Sequence, residues 1–221
     1  MYLLIPKDPL KETSWALVLF VYIMLLLRFT KTLYGYMVKK GLRHNVAVYY
    51  NRKIIHIMAG GVTALIVPYI FTSPLIPTVF ALVIAAMLYV PHSRGRTLSW
   101  FQVLDNAYEV NFCVAWGLSL LAVWLIKGNP YYAIVPPLFI SLGDAVTGVI
   151  RNYVYGNRTK SWIGNIGMLA VTVPLGLCCA GLPGAIAAVA STVVEHFEFP
   201  PYLDDNVLIA LTATLIIVLL A

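Results

Sequence analysis

The chain has 221 residues, 61% of them hydrophobic and only 11% charged, with a mean hydropathy of +0.85. That composition excludes a soluble globular domain; several apolar runs approach the roughly 20 residues that cross a bilayer, which predicts a polytopic, all-α membrane bundle. The formal charge of +6 does not indicate nucleic acid, because the cations lie in the loops between apolar runs.

Residues 1–221 read as a single membrane domain, opening with a tail, 1–13, of balanced charge. The first span follows at about 14–29 and ends in Arg28 rather than in a small-residue cleavage site, so it reads as a retained span rather than a signal peptide. Residues 30–53 form a basic segment in which Tyr34, Tyr36, Tyr49 and Tyr50 alternate with lysines and arginines, the pattern of a membrane-surface helix. Spans two and three, about 54–71 and 75–90, are separated by Ser73-Pro74. A polar loop, 91–109, carries His92, Arg94, Arg96, Asp105 and Glu109. Span four, about 110–126, then turns through Lys127-Gly128-Asn129-Pro130 into span five, 131–150. Residues 166–180 and 185–194 are short for full spans and flank Gly181-Leu182-Pro183-Gly184; they read as a hairpin that is re-entrant or crosses twice. An acidic connector with Glu195, Glu198, Asp204 and Asp205 precedes the last span, 206–221, giving about seven or eight membrane segments. Cys113, Cys178 and Cys179 lie in apolar runs without metal-ligand spacing and read as packing residues.

Counting loops alternately, one side holds twelve of the fifteen lysines and arginines, at positions 28, 31, 39, 40, 43, 52, 53, 94, 96, 151, 158 and 160. The positive-inside rule places that side in the cytoplasm. A hairpin at 166–194 returns the acidic connector to the same face, where opposite charges favour one another.

Three clusters then share one membrane edge. In Asn51-Arg52-Lys53-Ile54-Ile55-His56, followed by Gly60-Gly61, the cations flank a span while His56 lies inside it. Membrane anchoring explains the cations alone, but an intramembrane histidine points to function. In the stretch 143–168, Asp144 ends an apolar run, with Gly143, Thr147, Gly148 and Arg151 at helical spacing and Arg158, Lys160 and Ser161 in a glycine-flanked loop. An acid at membrane depth is a functional signal, although an Asp144–Arg151 pair that locks two helices is the plainer alternative. In the third cluster, Asp204, Asp205 and Asn206 offer hard oxygen ligands or a base; a solvated turn that caps the last helix is again the plainer reading. No Walker loop, zinc spacing, catalytic-triad pattern or dinucleotide fingerprint occurs. Acids, cations, glycines and one buried histidine at a lipid–water boundary suit phosphoryl or nucleotidyl transfer, which needs positioning and charge neutralisation.

The ordered set of Arg52-Lys53-Ile54-Ile55-His56 with Gly60, Gly143-Asp144-Ala145 with Gly148, Gly156 and Lys160-Ser161, and Glu195 leading to Asp204-Asp205-Asn206 resembles the CTP-dependent polyprenol kinases, such as dolichol and phytol kinases. The resemblance reaches more distantly to CTP-dependent lipid cytidylyltransferases. It implies a multi-span membrane enzyme that phosphorylates a long-chain isoprenoid alcohol with CTP and Mg²⁺ or another divalent cation at the cytoplasmic face. By this resemblance Asp144, Asp204 and Asp205 are the expected metal ligands. Lys160, Asn206 and His56 join them as catalytic residues. Arg52, Lys53, Gly143, Thr147, Arg151, Arg158 and Ser161 are the expected phosphate- or nucleotide-binding residues. The expected partners are the alcohol, CTP and the bilayer, with a homodimer allowed. The chain departs from the family after Lys160-Ser161, where Trp162-Ile163-Gly164-Asn165 stands in place of Glu-Gly-Ser. A cytidylyltransferase and, more remotely, a small ion-coupled transporter using Asp144, Arg151 and His56 are the alternatives; many transporters carry internal repeats, and this sequence has no clear one.

Overall fold

Helix α5 (Pro130–Tyr155) is the element that the others surround: 78% of its apolar window is buried, against 17% for α1 (Pro9–Lys39). The computed structural model describes residues 4–157, 159–197 and 204–221, and these are helical apart from short turns and loops. Around α5 stand α2 (His44–Ile70), α3 (Leu75–Ser93), α4 (Tyr108–Lys127), α6 (Trp162–Glu195) and α7 (Asp205–Leu220). Six helices, α1 to α6, are long and apolar enough to cross a membrane, and α7 is a shorter apolar helix. The protein is a helical membrane bundle.

The core joins Phe112, Trp116, Leu120 and Val123 of α4 to Leu138, Phe139 and Ile140 of α5 and to Ile209, Ala213 and Ile217 of α7. The three- and four-residue spacing of the α4 and α7 sets puts each of those on one helical stripe, while α5 contributes consecutive residues because it is buried on all sides. On α7 the opposite stripe, Leu211, Leu215 and Leu219, is exposed and equally apolar, as are Leu17, Val21 and Leu25 of α1. Stripes that are apolar both inward and outward suit a helix with protein on one side and lipid on the other.

Two helices are locally widened into π-turns: α2 at His56–Gly61 and α5 at Phe139–Gly143. The two turns press together because Gly60 and Gly61 have no side chains; a Cβ on Gly60 would lie 2.5 Å from Ser141 Oγ, and one on Gly61 2.7 Å from Leu142 Cδ2. Pro136 and Pro137, which donate no backbone hydrogen bond, precede the second π-turn. A π-turn re-aims the side chains around it; His56 opens the first turn and Asp144 directly follows the second.

The basic segment 30–53 is not a separate surface helix. Its first part continues α1 to Lys39, and its second part forms the opening turns of α2 from His44. At the far end of the bundle, buried Glu12 accepts hydrogen bonds from the Thr72 N–H (3.1 Å) and Thr72 Oγ1 (2.5 Å), tying the start of α1 to the α2–α3 turn.

Helix α6 folds back on itself. Gly181 adopts φ 61°, ψ −143°, outside the helical region, and splits α6 into arms 162–180 and 182–195. The arms touch backbone to backbone where Gly176 meets Gly184. Near the open end Asn165 Nδ2 donates to the Thr192 carbonyl at 2.6 Å. The expected hairpin is therefore present as a chain reversal, and its two ends lie at one edge of the bundle.

Gly184→Val places a branched side chain against the Gly176 carbonyl and should cost roughly 3 kcal/mol or more, since overpacking against backbone has little room to relax. Gly35→Ala, with nothing within 4 Å of the new methyl, should instead add about 0.5–1 kcal/mol. Melting midpoints of the two variants in detergent should move in opposite directions.

Candidate functional site

The edge where the hairpin closes also receives the charged ends of α2, α5 and α7. Lys53 Nζ reaches Asp144 Oδ2 at 2.7 Å, running across Gly148, where any side chain would collide with it. Its ammonium also lies 5.2 Å from the centre of the Tyr49 ring. His56 Nδ1 is 3.3 Å from the same Asp144 oxygen, and the imidazole stacks on Phe112 at 4.0 Å.

Two turns further along α5, Arg151 forks onto Glu195, with Nη1–Oε1 at 2.7 Å and Nη2–Oε2 at 2.8 Å. Its Nη2 also donates to Asn165 Oδ1 at 2.7 Å and its Nε to the Ser161 carbonyl at 2.8 Å. Gly164 makes room for this guanidinium, since a Cβ there would lie 2.7 Å from Nε. Lys160 Nζ donates to the Glu195 carbonyl (2.8 Å) and to Glu195 Oε1 and Asp205 Oδ2 (3.2 Å each). Asp144 pairs with Lys53 rather than with Arg151, so the helix-locking pair considered from the sequence does not form.

The result is three cations, Lys53, Arg151 and Lys160, interleaved with three carboxylates, Asp144, Glu195 and Asp205. One oxygen from each carboxylate can be chosen so that all three lie within 4.8 Å of one another, and all three residues are buried. They come from α5, α6 and α7.

The other expected residues divide between this cluster and its frame. Arg52 points the opposite way from Lys53: its Nε is 3.1 Å from Glu109 Oε1, and its guanidinium lies 4.4 Å from the Tyr108 ring centre. Gly143 serves packing, with Thr172 and Met168 where a side chain would be. Thr147 Oγ1 donates to the Gly143 carbonyl at 2.9 Å. Ser161 caps the first arm of α6 and is joined to Tyr155 at 3.0 Å. Asp204 caps α7, accepting from Val207 N–H at 3.1 Å and from Asn111 Nδ2 at 3.0 Å, and stands outside the carboxylate group. Asn206 is buried beside it, with no hydrogen-bond partner for its Oδ1 among the described residues. Arg158 and Glu198 lie outside the described residues.

Glu195 takes the place in the carboxylate group that the sequence assigned to Asp204. Glu109 and Asn165 are also functional candidates that the sequence reading did not select. Glu109 and Glu195 each sit where an apolar run meets a polar loop, as Asp144 does, so the same signal marks them. Asn165 bridges Arg151, Glu195 and the second arm of the hairpin.

Two spaces meet at this edge. A polar cleft of about 450 Å³ is lined by Tyr49, Arg52, Asp105, Asn106, Tyr108 and Asn152. A thin apolar cavity of about 100 Å³ lies between α1, α2, α3 and α4 and reaches His56 and Glu109.

No family model matches the chain, and no curated protein or solved structure matches it either.

Burial, followed by repulsion from Asp205, pushes the Asp204 carboxyl up to about 6 from the ordinary 3.8. Between those values the folded protein holds a proton that the unfolded chain releases, so this group lowers stability as pH rises from about 4 to 6. Asn caps a helix as well as Asp does. Asp204→Asn should therefore melt above the wild type at pH 7 and with it near pH 4, as read from thermal unfolding in detergent at the two pH values.

Proposed function

We propose that the protein is a CTP-dependent kinase of a long-chain isoprenoid alcohol, acting at the cytoplasmic membrane face. With no matching family model, the reading rests on the motif order and on the site itself. The observation that supports it most is the buried, charge-balanced cluster of Lys53, Asp144, Arg151, Lys160, Glu195 and Asp205 beside a polar cleft and an apolar cavity. An ion network that only braced helices would need neither space.

The chemistry follows from the charges. A triphosphate entering from the cleft offers Arg151 a planar fork partner and Lys53 and Lys160 compact anionic ones. Each cation that turns to phosphate leaves a carboxylate without its counter-charge. Asp144, Glu195 and Asp205 fit a hard divalent cation, being all-oxygen donors, buried and mutually close. Mg²⁺ held there would supply charge neutralisation between phosphate oxygens. The residues of the chain position the γ-phosphoryl group and draw charge off it, and no protein nucleophile is needed. Asn152, Asn106 and the tyrosines of the cleft offer hydrogen bonds and rings to a nucleoside. The cation count supports a cytoplasmic site. Taking the two arms of α6 as separate membrane segments gives eight in all.

Incubating the purified protein with each nucleoside triphosphate and geranylgeraniol, phytol or dolichol should yield CDP and the lipid monophosphate, dependent on Mg²⁺. Pyrophosphate with a CDP-lipid would instead identify a cytidylyltransferase, and no nucleotide consumption would remove both. Asp144 is a poor mutational test, because its loss strands buried Lys53 at a cost of roughly 3–5 kcal/mol. Asp205→Asn is better, since its partner Lys160 is about a quarter exposed. It should lower turnover roughly 10²-fold or more while the melting temperature stays within a few degrees.

A further inference from the structure

The apolar cavity has a definite shape. On α3 its lining runs from Pro77 to Leu88 and on α1 from Ala16 to Leu27. Eleven residues along a helix is about 16 Å at 1.5 Å per residue. A volume of about 100 Å³ over that length makes a narrow tunnel along the bundle axis, fit for a linear chain rather than a ring system.

Its wall is apolar except for Thr63 on α2 and for the charged groups near one end. There Glu109 and His56 meet it, both at least 95% buried. Neither Glu109 oxygen accepts a hydrogen bond from any described residue, because the nearby Arg52 Nε approaches without hydrogen-bond alignment. Apart from the 3.3 Å approach of Nδ1 to Asp144, neither ring nitrogen of His56 has a hydrogen-bond partner among the described residues. A buried carboxylate without donors is costly unless something supplies them. The need is for a ligand with a long apolar body and one terminal hydrogen-bond donor.

We infer that the tunnel is the acceptor site, holding the end of a linear isoprenoid chain, with Glu109 accepting the hydrogen bond of its terminal hydroxyl. This rests on the kinase reading for the reaction, though not for the binding. Arg52, on the other side of Glu109, lines the polar cleft, so acceptor and donor sites meet across the Arg52–Glu109 pair. Phe112, one turn after Glu109, carries His56, whose other neighbour is Asp144. In the transfer the alcohol oxygen forms a bond to the γ-phosphorus. The bond from that phosphorus to the β,γ-bridging oxygen breaks, and CDP leaves with its electron pair. The hydroxyl proton passes to the Glu109 carboxylate and on to solvent.

The test uses the full chain in detergent and measures binding of geranylgeraniol and of the hydrocarbon that lacks its hydroxyl, followed by quenching of tryptophan fluorescence, Trp116 being in the tunnel wall. The wild type should prefer the alcohol by about tenfold or more, as a charge-assisted hydrogen bond provides. Glu109→Gln should lose most of that preference and slow turnover roughly 10²-fold, with CTP binding unchanged. Ala16→Phe should block both ligands, and Ala81→Leu, from the facing helix, serves if Ala16→Phe does not fold. Equal binding of alcohol and hydrocarbon by the wild type, or wild-type binding and turnover in Glu109→Gln, would overturn the assignment. Binding that behaves as expected without phosphorylation from any nucleotide would uphold the acceptor site and refute the kinase.

Discussion

Charge balance inside an apolar bundle is the constraint on which this structure depends. A carboxylate or ammonium taken out of water costs several kcal/mol, and its partner recovers that only with close geometry and filled hydrogen bonds. Here the Arg151 fork on Glu195, the Lys53–Asp144 contact and the Lys160 bridge from Glu195 to Asp205 meet that condition within one cluster. Four separate stretches of chain must reach one point for it to form, and the surrounding fold is arranged to bring them there.

That arrangement is made largely by the absence of side chains. Gly148 leaves space for Lys53, Gly164 for Arg151, Gly60 and Gly61 for the facing π-turn, and Gly176 with Gly184 for the hairpin arms. The hairpin then returns Glu195 to the loop that carries Lys160. Buried ion pairs of this kind add little net stability compared with apolar packing. Tyr49, against Lys53, lines the polar cleft, and His56, against Asp144, lines the apolar tunnel.

Much of this was legible in the chain. Apolar run lengths predict the helices, and Gly181-Leu182-Pro183-Gly184 between short runs predicts the reversal that Gly181 makes. Asp144, Lys53 and Asp205 stand out as charges at the ends of apolar runs and Lys160 as a cation of the glycine-flanked loop, and they do converge. Pairing was less legible. Helical spacing suggested Asp144 with Arg151, but the π-turn before Asp144 and the glycine opposite Lys53 decide the partner, and neither is a short-range property. Asp204 and Asp205 are equivalent as letters; the start of α7 separates them, one turned to Val207 and Asn111 as a cap and the other to Lys160. Glu109 was read as part of a polar loop because the first turn of α4 begins inside that loop, at Tyr108.

The central claim is that the buried ion pairs are a resting state whose carboxylates accept a divalent cation when a nucleotide draws off Lys53, Arg151 and Lys160. Paramagnetic resonance of Mn²⁺ titrated into the purified protein, with and without CTP, tests it directly. The account predicts bound Mn²⁺ that strengthens at least tenfold with CTP beyond the affinity of CTP alone. It predicts that Asp205→Asn, whose carboxamide keeps the volume and loses the charge and whose partner Lys160 is partly exposed, abolishes that gain. Mn²⁺ binding no tighter than to free CTP, or unchanged in Asp205→Asn, would contradict it and leave the cluster a purely structural brace.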